Sequence, residues 1–132
     1  MSNPEFPEKG ILWRGWNEET LGIIHEKNRP VFLFVADPDS LVAPFLKAIL
    51  TAMPGNEKLR GLLHEYFPAV FIEAGSLPAD LKSFGAGSGF HIAVLSPAGF
   101  TPMVTFDPVS GNPEKVVEEI VAALERLREV WR

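Results

Sequence analysis

Val31-Phe32-Leu33-Phe34-Val35-Ala36 is an unbroken apolar run, closed on one side by Asn28-Arg29-Pro30 and on the other by Asp37-Pro38-Asp39-Ser40. A strand with one wet face alternates apolar and polar residues, so a short run without alternation predicts a strand covered on both faces. Such a strand needs a sheet with helices above and below it, and this one belongs at its centre. The run is also far shorter than the roughly 20 residues that span a bilayer. No membrane role is expected from it.

The flanking patterns supply the layers. Ile11, Leu12, Trp13 and Trp16 predict a first strand leading into a helix capped by Asn17, with Glu18 and Glu19 at its positive end and Leu21, Ile23 and Ile24 turned inward. After the central strand, Asp39 or Ser40 is expected to cap a helix carrying Leu41, Val42, Phe45, Leu46, Ile49 and Leu50, with Pro44 in or just past its first turn. Met53-Pro54-Gly55 ends it, and Asn56 to Tyr66 reads as a further helical piece built on Leu59, Leu62 and Leu63. Phe67 to Glu73 reads as a strand, Leu77 to Phe84 as a short helix, and Gly85 to Gly89 as a flexible connection. Phe90 to Leu95 is the next strand, and the turn Ser96-Pro97-Ala98-Gly99 sends Phe100 to Phe106 back antiparallel. Pro102 removes one ladder donor and places that strand at a sheet edge.

In the last helix Asn112 is the cap and Pro113 the first residue, and Val116, Val117, Ile120, Val121, Leu124, Leu127 and Trp131 recur at helical intervals. The resulting order, βαβαβαββα, predicts an α/β chain with a central mixed five-stranded sheet in a three-layer α/β/α sandwich. A length of 132 residues suits a single domain over 1–132, with 1–10 as an N-terminal extension. That extension has neither the basic nor the apolar stretch of a secretory signal, so a cytoplasmic chain is expected. With 12 Lys and Arg against 17 Asp and Glu, the formal charge is −5, which argues against nucleic acid as a partner. The chain has no cysteine, which removes disulfides, thiolate metal sites and a thiol nucleophile.

The element order resembles that of thioredoxins. Ile11 to Glu19 and Lys27 to Leu33 are similar to the opening of the thioredoxin-like domain of the YyaL/spermatogenesis-associated group, and Leu95-Ser96-Pro97-Ala98-Gly99 resembles the hairpin that follows the active-site proline of the fold. The resemblance implies a thioredoxin-like fold, but the chemistry does not accompany it. In the family's spacing the Cys-x-x-Cys falls on Ser40-Leu41-Val42-Ala43, the cis-proline on Phe90, and the buried acidic proton acceptor on Phe34. A serine hydroxyl at a helix start is not a thiolate equivalent, and alanine resolves nothing. Because a non-proline cis bond costs about 3–4 kcal/mol, the peptide before Phe90 is expected to be trans.

Other constellations have plainer readings. Asp37-Pro38-Asp39 after an apolar strand resembles the first motif of haloacid-dehalogenase-type phosphatases, in which the first Asp attacks phosphorus, the second protonates the leaving group and Mg²⁺ bridges. Paired acidic residues after a later strand are missing, Asp107 being alone, so a strand-to-helix turn is the preferred reading. Gly85 to Gly89 follows a helix and opens a strand, the reverse of a phosphate-binding loop. His25, His64 and His91 lack ligand spacing, and no metal or cofactor is expected. His25 and His64 read as helix-surface residues, whereas His91 is the one histidine with a candidate role, its plainer reading being a strand-end residue with a backbone partner. Trp13 and Trp131 read as core, and Trp16 is left open.

The leading expectation is a redox-inactive protein of the adaptor or assembly-chaperone type. Its vestigial groove, formed by Asp37, Asp39, Ser40, Leu41, Val42 and Ala43 facing Gly89, Phe90 and His91, would dock a protein or peptide. Similar dithiol-free relatives act as assembly chaperones, some of them for hydrogenases. No catalytic residue is assigned. The alternatives are a small Mg²⁺-dependent phosphatase-like enzyme using Asp37 and Asp39, and a structural subunit or homodimer joined through the Pro102 edge strand or the outer helices.

Overall fold

The computed structural model describes residues 11–78, 81, 91–109 and 112–130. Its five strands are β1 (Trp13–Arg14), β2 (Val31–Ala36), β3 (Ala69–Glu73), β4 (Ile92–Leu95) and β5 (Pro102–Phe106). They form one mixed sheet in the order β1-β3-β2-β4-β5. β1 and β2 run parallel to β3, whereas β4 is antiparallel to both β2 and β5. The apolar run is therefore the middle strand, with Val31 to Val35 all buried.

Its two faces feed two cores, because successive side chains of a strand point to opposite sides. Phe32 and Phe34, with Ile92, Val94 and Phe106, pack under α2 (Ala43–Ala52), α3 (Glu57–Glu65) and α4 (Pro113–Val130). Val31, Leu33 and Val35, with Val70, Ile72, Ala93 and Leu95, pack against Ile24 of α1 (Glu18–Lys27) and against Leu81. Trp13, Phe34 and Phe71 cluster within the first core, the two phenyl rings stacked at 5.8 Å and the indole edge-on to both. Phe34 is 1% exposed within this cluster. Trp16, left open by the sequence, meets Phe100 edge-on at 4.8 Å beside the second core.

Helix starts follow side-chain caps where a short polar residue can reach the free amides. Asn17, Asn56 and Asn112 accept from the amides of Thr20, Leu59 and Lys115 at 2.9, 2.9 and 2.8 Å. α1 ends at Asn28, whose φ of 51° is left-handed, a conformation Asn tolerates. At the β4–β5 turn, Gly99 and then Phe100 are left-handed, with φ of 83° and 55°.

Several expectations need correction. The first strand covers only Trp13–Arg14, and the inward residues of α1 are Thr20 and Ile24, with Leu21 and Ile23 half-buried. α2 begins at Ala43, not at Asp39 or Ser40, and its N-cap, Val42, supplies no side-chain bond. The reason is local: the Ser40 hydroxyl accepts from the Val42 amide at 2.9 Å, which holds residues 38–42 as turns ahead of the helix. Leu41 therefore lies outside the helix, and only Leu46 and Ile49 of its expected stripe are buried in α2. A 3₁₀ turn, Met53–Gly55, links α2 to α3. β3, β4 and β5 are each shorter at their starts than the sequence suggested, β5 beginning at Pro102 after the left-handed turn. Pro102 does stand on an edge strand. The expected helix Leu77–Phe84 is described only at its beginning and at Leu81, after a 3₁₀ turn at Ala74–Ser76, and Trp131 lies outside the described residues.

Candidate functional site

Three polar side chains are buried among the described residues, and two of them, Asp37 and His91, meet. Asp37 follows the last residue of β2 and His91 precedes the first of β4. The ladder places Phe34 opposite Ile92, and the Val35 amide donates to the His91 carbonyl at 2.7 Å. Continuing that register, Asp37 is diagonal to His91 on the same face, a spacing long side chains can bridge. The bridge is made: His91 Nε2 lies 3.1 Å from Asp37 Oδ2, with the side chains 7% and 9% exposed.

A carboxylate only accepts, so an ionised Asp37 requires the proton on Nε2 and leaves Nδ1 of a neutral ring as an acceptor. Nδ1 is buried and has no hydrogen-bond partner among the described residues. His91 is thus a strand-end residue, as its plainer reading held, but its ring is fixed by a carboxylate. The pair ties the segment that leads into α2 to the start of β4.

Around Asp37 the surface opens into a groove of about 520 Å³ at the carboxyl ends of β2 and β3. Its floor and walls are mostly apolar: Phe34, Ala36, Pro38, Ala43, Pro44, Leu46 and Leu50, with Asp37, Lys47 and Glu73 as the charged members. Glu73 also borders a second depression, of about 510 Å³, which runs along Trp16, Phe71, Ile72, Ser76 and Pro78. The carboxyl ends of strands are where open α/β sheets leave room for ligands, since the helices start or stop there. Just before Ala43 of the groove the loop carries Leu41, 97% exposed, whereas Phe45, 45% exposed, is on the opposite side of α2 from Ala43, Lys47 and Leu50.

The expected site residues divide accordingly. Asp37 and His91 are brought into contact; Asp37 and Ala43 line the groove; Ser40 and Val42 form the turn beside it; Asp39 and Leu41 project into solvent. Gly89, Phe90 and the peptide bond before Phe90 lie outside the described residues, as does the rest of 82–90. The paired use of Asp37 and Asp39 meets a different geometry, with one carboxylate buried against an imidazole and the other exposed. Among the described residues no three His, Asp or Glu side chains gather as a metal would require. Glu73 and Lys47 were missed by the sequence reading, because each reads as an ordinary exposed charge and only the sheet and α2 bring them to one groove.

No model of a known protein family matches the sequence, and no curated protein matches it.

Proposed function

We propose that the chain is a thioredoxin-like domain without dithiol chemistry that docks an extended apolar segment of a partner protein in the groove between Asp37 and Leu50. The support is the sheet order β1-β3-β2-β4-β5 with an antiparallel β4, together with Ser40 and Ala43 where a dithiol would stand. The observation that carries the reading is the groove itself, about 520 Å³ and largely apolar, next to a Leu41 that touches almost nothing of its own chain. An isolated exposed leucine is ordinary, but this one stands two residues before Ala43 of the groove lining, where it adds apolar surface of the kind that takes a partner.

In this reading the work is binding, not catalysis. Apolar side chains of the segment enter beside Leu46 and Leu50, and the carboxylates of Asp37 and Glu73 accept its N–H groups or a cationic side chain. The Asp37–His91 pair positions the loop that forms one lip. Binders selected from a displayed peptide library should shift amide signals of residues 38–50 and lose affinity at least tenfold against Leu41→Asp/Ala43→Asp. Selected binders that shift only signals elsewhere would refute the groove. The chain carries no helix long and apolar enough to cross a membrane among the described residues.

A further inference from the structure

At the other end of the sheet, where β1, β2 and β3 begin, the charge pattern reverses. Arg14 of β1, Lys27 at the end of α1 and His64 at the end of α3 line one small cavity of about 50 Å³, together with Glu65 and Tyr66. None of these three side chains has an ion-pair or hydrogen-bond partner among the described residues. Tyr66 is held by two more: the Arg29 guanidinium lies 4.8 Å from its ring centroid and that of Arg128 5.4 Å away. Arg29 also donates to the Glu65 carbonyl at 3.1 Å. One turn before His64 on α3, Arg60 buries its Nε without a hydrogen-bond partner among the described residues.

A cation at a helix end offsets the helix dipole, and that accounts for Lys27. It does not account for Arg14, which comes from a strand, nor for two helices delivering Lys27 and His64 to the same strand edge. Arg29 and Arg128, on the ring of Tyr66, add two guanidinium groups near Arg14 and Lys27, and Glu65 is the one carboxylate among the residues that line the cavity. A local positive field on a chain of net charge −5 concentrates anions at one place.

We propose that this β1 edge is an oxyanion site, taking a phosphate group between Arg14, Lys27 and His64. The volume is a few times the roughly 10–15 Å³ of cavity space that one water needs, which suits a compact tetrahedral anion. Arg14 supplies the forked donor pair that matches two phosphate oxygens, and Lys27 a point charge. The site is separate from the groove, which lies at the opposite ends of the same strands.

The test is an NMR titration with inorganic phosphate at constant ionic strength, chloride making up the balance. Signals of Arg14, Lys27 and His64 should move saturably, and Lys27→Gln and Arg14→Gln should each weaken binding about tenfold. Lys115→Gln, an exposed cation on α4, should leave it unchanged. O-phosphoserine in a second titration distinguishes the sources: tighter binding than phosphate marks a group carried by a larger ligand, and equal or weaker binding marks the free anion. Non-saturating shifts of equal size in chloride, or equal binding by Lys27→Gln and Lys115→Gln, would overturn the site. Lys27 is exposed, so its substitution leaves folding intact and the result interpretable.

Discussion

Asp37 and His91 are 54 positions apart in sequence and 3.1 Å apart in the fold. A buried donor or acceptor left without a partner costs about 1–3 kcal/mol, whereas a made hydrogen bond contributes less than that. Asp37→Ala, which strands His91 Nε2, should therefore destabilise the chain by about 1–3 kcal/mol in urea unfolding. His91→Phe removes both ring nitrogens, including the orphaned Nδ1. If the contact is energetically coupled, the Asp37→Ala/His91→Phe double variant will be more stable than the sum of the single losses by about 1 kcal/mol. Additivity within about 0.5 kcal/mol would show that the two residues are neighbours only. The sequence singled out both residues for one groove, but neither the contact nor its geometry was legible, since it depends on the β2–β4 register.

At the scale of elements, capping by asparagine was readable directly at Asn17 and Asn112, which stand just before an apolar periodicity, whereas Asn56, read as the first residue of its helix, is its cap. The α2 start was not. Asp39 and Ser40 look equally like caps, yet Ser40 spends its hydroxyl on the Val42 amide within a turn, and Asp39 is exposed. Asn56→Ala should cost about 1 kcal/mol, and Asp39→Ala less than about 0.5 kcal/mol, by thermal or urea unfolding. A larger loss from Asp39 would mean that it caps α2 after all. Strands differ in the same way: β2 and β4 are flanked on both sides, while β1 and β5 are edges. Amides of Leu33 and Val94 should exchange with solvent only through global unfolding, and those of Arg14 and Met103 many times faster. Uniform protection across the sheet would contradict this ranking.

For the whole molecule, the two ends of the sheet present different surfaces, a largely apolar groove and a compact cluster of cations. Residues that only line the groove contribute little to the fold. Leu41→Asp is expected to change stability by less than about 0.5 kcal/mol, whereas Phe34→Ala, in the aromatic cluster behind the groove, should cost about 3–5 kcal/mol. A large loss from Leu41→Asp would mean that this side chain is covered in the native chain. By itself, the sequence determined the central strand, the inward stripes of α3 and α4 and the want of thiol chemistry, because burial on two faces, helical periodicity and residue type are local properties of the chain. Only the tertiary structure decided which distant groups meet: the Asp37–His91 contact, the joining of Glu73 and Lys47 at one groove, and the gathering of Arg14, Lys27 and His64. Those depend on strand order, register and where helices end, and a pattern of single residues carries none of the three.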